Sequence, residues 1–203
     1  MPDQRWVVPT VLEGTWVRLE PLVNSHAEGL AEVADRELFR FFAGFYPKGA
    51  DASSGEEYIR NVNGQADKVA FAIVDRATDR PVGATSFMDI RESDKGLEIG
   101  STWLAQAVHG SAVNPESKLL LLTHAFEVLG AIRVQFRTDV RNLRSRRAIE
   151  KLGAVPEGVF RQHTIMPDGF VRDSIFYSIL PSEWPAVKRG LLSRLASVGE
   201  EPS

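Results

Sequence analysis

The chain has 203 residues, of which 43% are hydrophobic and 25% charged, a balance typical of a globular protein with one sizeable core. Its formal net charge of −3 gives no overall attraction to nucleic acid or to an anionic membrane surface. The absence of cysteine excludes disulfides, zinc–cysteine sites and thiol catalysis, and no apolar run approaches the ~20 residues that span a bilayer. We therefore expect a soluble, unprocessed, cytoplasmic protein with no nucleic-acid or membrane partner.

The first half of the chain predicts a strand, two or three helices and two further strands. Period-two alternation and runs of β-branched or aromatic residues indicate the strands, and capping residues before apolar residues three or four apart indicate the helices. In chain order these elements are a strand over 16–22, a helix over 24–33, an aromatic helix or loop over 37–46, a helix from Ser53 or Ser54 to Gln65, and strands over 69–74 and 81–88, joined by a hairpin turn.

The second half alternates strands and helices. Asn114 is a good N-cap, Pro115 suits the first helical position and Glu116 falls in the first turn, so a helix is predicted to begin here and to end at Gly130. The remaining elements are strands over 97–104 and 132–140, a helix over 142–152 closed by Gly153, two strands over 155–165 and 170–180 joined by the turn Pro167-Asp168-Gly169, and a closing helix over 181–195.

This order predicts a mixed α/β sheet in a single domain over residues 10–196, with flexible ends at 1–9 and 197–203. Consecutive strands without intervening helices, and the lack of a GxGxxG motif, argue against a Rossmann fold. The chemical signal is Glu98 on the strand that precedes the helix start at Asn114. Because the first N–H groups of a helix attract phosphate, the segment predicts a carboxylate beside an anion-binding helix end.

Four stretches of the chain resemble the GNAT superfamily of acyl-CoA-dependent N-acetyltransferases, and most closely its RimJ/RimL type, which modifies ribosomal-protein N-termini. They are LEGTWVRLEPL, GLEIGSTWL, NLRSRRAIEKLGAVPEG and FVRDSIFYSILPSEW, and they extend from Leu12 to Trp184. The third is the most specific, since it keeps Asn142, Ser145 and the Glu-Lys-Leu-Gly end at the family's spacing. The resemblance implies a twisted, mostly antiparallel sheet that is splayed in the middle and flanked by helices. It also implies acetyl-CoA as the acyl donor and a primary amine as the acceptor.

The resemblance implies roles for individual residues. Glu98 would be the base that takes a proton from the amine, directly or through a water, and Ser145 would protonate the departing sulfur. The family loop that cradles the pyrophosphate usually has small hinge residues where this chain has Ala112 and Asn114. Lys118, in the first turn of the predicted helix, would supply a compensating positive charge. The cofactor contacts implied in this way are Trp103, Leu104, His109, Gly110, Ser111, Ala112, Val113, Asn114, Lys118, Asn142 and Arg147, with the main-chain N–H of Trp103 or Leu104 on the thioester oxygen.

Each of these residues also has a structural interpretation. Glu98 suits an ion pair, Asn142 and Ser145 suit helix capping, Trp103 suits the core, and Lys118 and the arginines at 141–147 suit a solvated face. The aromatic residues over 37–46 suit either core packing or a lid over the acceptor. The histidines show no metal-ligand spacing, so no metal is expected.

Three functions remain open on sequence alone. Acetyl transfer to the N-terminal α-amine of a protein or peptide is favoured, because an α-amine loses its proton more easily than a lysine does. The alternatives are acetylation of a small-molecule amine, such as a polyamine, an amino acid or an aminoglycoside-like antibiotic, and a non-catalytic acyl-CoA-binding protein. The last is motivated by the altered pyrophosphate loop. A homodimer through the aromatic N-terminal part or an outer strand is compatible with the sequence.

Overall fold

Eight strands form one sheet in the computed structural model, which describes residues 5–199. Their order across the sheet is β1-β2-β3-β4-β5-β6-β8-β7, and every neighbouring pair is antiparallel except β5 and β6. The predicted mixed sheet is confirmed, with the short β1 as an addition. The strands are β1 (Leu12–Glu13), β2 (Val17–Pro21), β3 (Val69–Asp75), β4 (Arg80–Arg91), β5 (Gly96–Leu104), β6 (Arg133–Asp139), β7 (Val155–Ile165) and β8 (Val171–Ile179).

Five α-helices flank the sheet, close to the predicted positions. They are α1 (Ala27–Val33), α2 (Ala52–Asn63), α3 (Val113–Thr123), α4 (Leu143–Leu152) and α5 (Trp184–Gly199). Asp51, rather than either predicted serine, caps α2, because its carboxylate accepts a hydrogen bond from Ser54 N at 3.0 Å. A π-helical segment, His124–Val128, continues α3 to the predicted stop at Gly130, which has a φ of 65°.

The two faces of the sheet bury different side chains. Small residues of β3 and β4, such as Ala70, Ala72 and Ala84, face α1 and α2, and this allows the two helices to approach closely. The opposite face carries large side chains, such as Phe71 and Phe87, in the core that also contains residues of α3, α4 and α5. Helices on both faces therefore cover the half of the sheet that begins at β2, and the alternation of side chains along each strand decides which face a residue joins.

Parts of the predicted flexible ends contact the rest of the fold in the structure. Val7 is buried in the core, and the indole of Trp6 donates a hydrogen bond to Leu129 O at 2.9 Å. Residues 197–199 belong to α5. The rest of the predicted flexible ends, 1–4 and 200–203, lies outside the described residues. Within 5–199, no helix is both long enough and apolar enough to cross a membrane.

Candidate active site

The sheet divides between β5 and β6. These two strands run parallel and pair at only three positions, the last of which sets Glu98 opposite Gln135. Beyond that pair, β5 continues to Leu104 and β6 to Asp139 without pairing to each other. A gap therefore opens towards the carboxyl ends of the two strands. The resemblance implied a splay in the middle of the sheet, and the structure has it here.

A β-bulge in β5 lies next to this gap. Ser101 and Thr102 together stand opposite the single residue Thr85 of β4, so the register between the two strands shifts. Ser101 has a φ of 50°, a left-handed conformation that costs a non-glycine residue about 1 kcal/mol or more. Because a bulge bends its strand and increases the local twist, it contributes to the separation of β5 from β6.

Glu98 lies at the fork and is almost entirely buried, with only 2% of its surface exposed. Its Oε2 accepts a hydrogen bond from Gln135 Nε2 at 3.0 Å, and its Oε1 lies 3.4 Å from Arg137 Nε. Burial raises the pKa of the Glu98 carboxyl, and the charge of Arg137 and the hydrogen bond from Gln135 partly offset this effect. A carboxylate whose pKa is raised accepts a proton more readily near neutral pH.

The two candidate donors to a thioester oxygen differ in the direction of their main chains. Ala105 N donates to Val82 O at 2.8 Å, so the alternation of the strand also turns the N–H of Trp103 towards β4. The N–H of Leu104 then faces the gap. The indole of Trp103 is buried and donates to the Tyr58 hydroxyl at 3.2 Å. Of the two, only Leu104 therefore turns its N–H towards the gap, and Trp103 is a core residue.

Helix α3 begins at Val113, one residue before the predicted cap. Ala112 occupies the N-cap position and Asn114 lies inside the first turn, so the prediction that Asn114 caps the helix is wrong. The hydroxyl of Ser111 instead accepts a hydrogen bond from Val113 N at 3.2 Å. Pro115 is the third helical residue. The N–H groups of the first three helical residues make no hydrogen bond within the helix, so a proline fits any of these positions. Pro115 therefore could not identify the first residue of α3.

The loop before α3 leaves three N–H groups free. In the described part of the chain, the N–H groups of Gly110, Ala112 and Asn114 have no acceptor in the protein. Gly110 has a φ of 84°, which favours glycine, whereas Ala112 has a φ of −65°, which any residue adopts. An alanine at 112 therefore leaves the backbone undistorted. Free N–H groups at the start of a helix form a binding site for phosphate.

Lys118 does not point into this loop, contrary to prediction. With α3 starting at Val113, Lys118 lies in the second turn and is buried, and its Nζ donates to Thr102 Oγ1 at 2.7 Å. That oxygen also lies 2.8 Å from Thr85 Oγ1. Burial lowers the pKa of Lys118 to about 7. The expected compensating charge is therefore absent from the loop, because the side chain is held against the bulge of β5.

Asn142 and Ser145 begin α4, the helix that follows β6. Asn142 Oδ1 accepts a hydrogen bond from Ser145 N at 3.1 Å, which is the capping arrangement that the sequence allowed. The side chain of Ser145 is half-buried, and its hydroxyl has no hydrogen-bond partner within residues 5–199. Since α4 follows directly on β6, this hydroxyl stands at the end of the strand that borders the gap.

Two of the four arginines around this helix start are engaged within the protein. Arg141 binds both carboxylate oxygens of Asp139, with Nη2 and Oδ2 2.7 Å apart. Arg146 donates to the hydroxyl of Tyr177 at 3.3 Å. Neither guanidinium is therefore a simple solvated charge, and neither is free to reach a coenzyme.

The other two arginines lie nearer the loop before α3. Arg144 Nη2 lies 2.8 Å from His109 Nε2, which also lies 3.0 Å from Leu104 O. The ring nitrogen can accept from Arg144 or donate to Leu104, but it cannot do both. This contact brings the two predicted coenzyme segments together. Arg147 is exposed, and its side chain has no hydrogen-bond acceptor within the described range.

Sequence reasoning missed a layer of polar side chains beside Glu98. Strand alternation and register place these side chains on the same sheet face as Glu98. With Glu98 the layer has seven residues, and six of them are buried. The sequence does contain an indication of this layer, because polar residues recur at alternate positions of β6 and β8. That alternation predicted the strands but not the layer. We call these residues the polar layer: Glu98, Gln135, Arg137, Asp139, Arg172, Ser174 and Ser178.

The aromatic segment contributes to core packing, and its role as a lid over the acceptor stays a prediction. Phe39 is buried and stacks on Tyr46, with ring centroids 4.2 Å apart, as core packing requires. The carbonyl oxygen of Phe41 accepts a hydrogen bond from Arg172 Nη1 at 3.3 Å, so this part of the segment borders the polar layer. Among residues 5–199, no group of three His, Asp or Glu side chains is arranged to hold a metal ion.

Comparison with known proteins identifies the family. The family model described as "Acetyltransferase (GNAT) domain" matches residues 17–155, more than half of the chain. The chain belongs to the GNAT family. The GNAT fold and the GNAT acetyltransferase family that the sequence predicted are thereby confirmed.

Individual relatives agree with this assignment. "Putative ribosomal N-acetyltransferase YdaF" of Bacillus subtilis is 31% identical over 106 residues, which are 52% of this chain and 57% of that protein's length. A crystal structure of a "putative acetyltransferase" from T. thermophilus is 41% identical, with a TM-score of 0.86 over 94% of this chain and 100% of that chain. "Mycobacterium smegmatis RimJ in complex with CoA-disulfide", at 18% identity, shares the fold, with a TM-score of 0.75 over 92% of this chain and 95% of that one.

Proposed function

We propose that the protein transfers an acetyl group from acetyl-CoA directly to a primary amine, and that the amine is the N-terminal α-amine of a protein or peptide. The observation that carries the proposal is the buried Glu98 at the fork of β5 and β6, on the same strand as the N–H of Leu104 that faces the gap. Acetyl transfer needs a base for the amine and a donor for the carbonyl oxygen. The two groups supply both requirements beside one gap.

The loop before α3 and the start of α4 fit the coenzyme. The free N–H groups of Gly110, Ala112 and Asn114 would bind the pyrophosphate, with His109 and Ser111 in the same loop. Val113 contributes only its position, because its side chain is in the core. Asn142 would contact the pantetheine, and Arg147 would bind nucleotide phosphate, since its guanidinium can hold two oxygens at once. The ordinary φ of Ala112 removes the main reason for a non-catalytic alternative.

The reaction follows from these positions. Acetyl-CoA supplies the acetyl group as a thioester. Glu98 accepts a proton from the amine, directly or through a water, and the neutral nitrogen then attacks the carbonyl carbon. The N–H of Leu104 binds the carbonyl oxygen as negative charge develops there. When the carbon–sulfur bond breaks, the hydroxyl of Ser145 donates a proton to the sulfur. The nitrogen gives up its second proton to water, which returns a proton to Ser145, and Glu98 releases its proton to solvent.

The pKa of the acceptor favours an α-amine. An α-amino group has a pKa near ~7.8, so its deprotonation at pH 7 costs about 1 kcal/mol, whereas a lysine, near ~10.4, costs about 4–5 kcal/mol. A single buried carboxylate is better matched to the smaller cost. The ribosomal N-acetyltransferase name of the Bacillus subtilis relative supports the same choice, and the CoA-disulfide bound to Mycobacterium smegmatis RimJ supports the coenzyme.

Calorimetry and a thiol-release assay test the proposal. Acetyl-CoA should bind with a dissociation constant in the micromolar range, equivalent to about −8 kcal/mol. CoA should then be released with peptides that have a free N-terminus, and more slowly with N-terminally blocked peptides, polyamines or aminoglycosides. If acetyl-CoA gave no heat of binding and did not shift the melting temperature, the assignment as an enzyme would be contradicted. Turnover of small amines alone would move the acceptor to that class.

A substitution at Glu98 tests the mechanism. Glu98→Gln should lower kcat by about 10²-fold or more, because an amide cannot accept the proton, while the affinity for CoA changes less than about threefold. Glu92→Gln, in the exposed turn between β4 and β5, is the matched control and should behave as the parent does. Equal turnover of the Glu98 variant and the parent would remove Glu98 from the mechanism.

A further inference from the structure

Three cationic side chains and one histidine, from four parts of the chain, lie beside the polar layer. Lys68 precedes β3, Arg137 lies on β6, His163 on β7 and Arg172 on β8. Burial lowers the pKa values of Lys68, His163 and Arg172, and the positive charge of Arg137 lowers each of them further. The positive charge of Arg137 therefore acts on each of the other three groups, while the carboxylate of Glu98 acts on Lys68 and Arg172 and that of Asp139 acts on Arg172. Positive charges held this close to one another favour the binding of a further anion.

Arg172 is the member of this group that most clearly lacks a partner. It is 7% exposed, and its Nε donates to Ser174 Oγ at 3.1 Å, while its Nη1 contacts Phe41 O at 3.3 Å and Met166 Sδ at 3.9 Å. All three acceptors are neutral. Its Nη2 has no partner within residues 5–199, and it is not among the unpartnered atoms that are fully sealed from solvent. A buried guanidinium with no carboxylate partner costs free energy.

The carboxylates nearest to this group are already engaged. Asp139 is fully buried and holds Arg141 through both oxygens. Asp89 pairs with Arg91 and accepts from Gln135 Nε2 at 3.0 Å. Glu98 faces Arg137 and is the candidate base. Within residues 5–199, no carboxylate accepts a hydrogen bond from Arg172, although the charges of Asp139 and Glu98 act on it.

An open cleft lies beside one of these four groups, His163. Its volume is about 830 Å³, and it lies at a bulge where three residues of β7, 161–163, stand opposite Asp173 of β8. His163 lines the cleft, and its Nδ1 lies 3.1 Å from Ser174 Oγ, the same oxygen that Arg172 Nε contacts. One side chain thus connects the cleft to the polar layer.

We propose that Arg172, with Arg137, Lys68 and His163 around it, binds a carboxylate of the acceptor, so that the preferred acceptor is a peptide N-terminus with an acidic side chain among its first residues. This inference rests on the proposed acetyl transfer. Glu98 stands opposite Gln135, which in turn pairs with Ser178 of β8. The guanidinium of Arg172 contacts Ser174, which is four residues from Ser178 along the same strand. Four residues of strand span ~13 Å, so the acidic side chain belongs to the second, third or fourth residue of an extended peptide.

The same charges select against the alternative small-molecule acceptor. A polyamine would bring one or more additional cations into a site that already holds Lys68, Arg137 and Arg172. Like charges in a partly buried site repel more strongly than in water. A peptide with an acidic side chain instead brings one charge of each sign, an amine for Glu98 and a carboxylate for Arg172.

The experiment compares three C-terminally amidated peptides, Ser-Glu-Glu-Ala-Gly, Ser-Gln-Gln-Ala-Gly and Ser-Lys-Lys-Ala-Gly, by thiol release at saturating acetyl-CoA. We expect kcat/KM to be at least tenfold higher for the glutamate peptide than for the glutamine peptide, and lowest for the lysine peptide. Raising the salt concentration should reduce the difference. Equal values for the first two peptides would overturn the inference while leaving acetyl transfer intact. No turnover of any peptide or amine would instead contradict the proposed function.

Variants assign the preference to Arg172. Arg172→Gln should reduce the glutamate-to-glutamine ratio to about one, and Arg172→Lys should keep most of it, because the charge remains. Arg189→Gln, an exposed substitution on α5, is the control and should leave the ratio unchanged. Should Arg172→Gln fail to fold, the lysine variant and the salt series still decide the matter. A ratio that survives in a folded Arg172→Gln protein would overturn the assignment.

Discussion

Helices α3 and α4 border the same gap, yet their starts are determined in different ways. In α4, residues at the two ends determine the bounds of the helix. Asn142 caps its start by accepting a hydrogen bond from Ser145 N, and Gly153 ends it with a φ of 95°. In α3, no such cap exists, and Glu116 and Lys118 are both buried. The start of a helix can therefore be determined by its own capping residues or by the partners that its buried polar side chains contact elsewhere in the fold.

The two buried charges of α3 differ in how well they are satisfied. The Glu116 carboxylate accepts hydrogen bonds from the main-chain N–H groups of residues 15, 16 and 17 at 2.7–2.8 Å. Gly14 is required beside it, because a Cβ there would lie 2.4 Å from Glu116 Cδ. Lys118 has one hydroxyl partner and no carboxylate. Glu116 thus fastens α3 to β2, whereas Lys118 makes the fold less stable than an apolar side chain would.

The largest expected effect is at Glu116. Glu116→Ala should lower the free energy of unfolding by about 3–5 kcal/mol, because it leaves three main-chain N–H groups without an acceptor and opens a small cavity. Denaturant unfolding with a matched parent measures the loss. Glu116→Gln keeps one acceptor oxygen and should lose less. A loss below about 1 kcal/mol for the alanine variant would show that α3 does not depend on this contact.

Lys118→Met should have the opposite sign. Methionine fills a similar volume without a charge, and Thr102 keeps its contact with Thr85, so the free energy of unfolding at pH 7 should rise by about 1–3 kcal/mol. Thermal and denaturant unfolding both measure this change. A destabilised methionine variant would show that the hydrogen bond to Thr102 outweighs the burial of the charge.

The pH dependence sharpens the same comparison. The pKa of Lys118 is about 7 in the folded protein and near 10.5 when exposed, so the unfolded chain binds more protons between these values. The free energy of unfolding contributed by Lys118 should therefore rise from pH 7 to pH 10.5, by at most about 5 kcal/mol, and stay at its lowest below pH 7. The methionine variant should lack this rise, as paired unfolding curves at pH 6.5 and 9.5 would show.

A smaller loss is expected at the start of α4. Asn142→Ala removes the acceptor for Ser145 N and should lower the free energy of unfolding by about 1 kcal/mol. Asn142→Asp keeps an acceptor at the cap and should change stability by only a few tenths of a kcal/mol. Equal losses in the two variants would mean that Asn142 acts through something other than its cap.

The smallest effect is expected at Asn114, where the sequence alone predicted a cap. Asn114→Ala should change the free energy of unfolding by less than about 0.5 kcal/mol, because the side chain is half-buried and caps nothing. The Asn142→Ala protein is its natural comparison in the same denaturant series. A loss of 1 kcal/mol or more at Asn114 would restore it as the cap of α3.

Most of the fold could be predicted from the sequence because its signals are local. The capped start of α4, the glycine that ends it and the alternation of β6 are all written within about ten residues. The sequence also predicted Glu98 and the loop at 109–114 as site residues, with the family resemblance supplying their roles, and these roles stay predictions. Arg172 was not predicted as a site residue, since a single arginine in a strand does not indicate which site its side chain will face.

The polar layer shows where sequence reasoning stops. Glu98, Arg137 and Arg172 lie far apart in the chain, and only the pairing of β5 with β6 and of β6 with β8 sets them on one face. Lys118 was expected to be exposed beside the phosphate loop, and the position of α3 on the sheet buried it instead. Register and packing involve partners dozens of residues away, which no local pattern specifies.

The sequence by itself determined the strands and helices, their order, the family, and the presence of a carboxylate one loop before a helix start. These features depend on side-chain period, capping and turn residues, all of which act between near neighbours in the chain. Only the tertiary structure decided where α3 begins, where Lys118 points, which of Trp103 and Leu104 offers its N–H, and which cations meet around Glu98. Those outcomes depend on burial, because a buried polar group must find its partner wherever the fold brings one close.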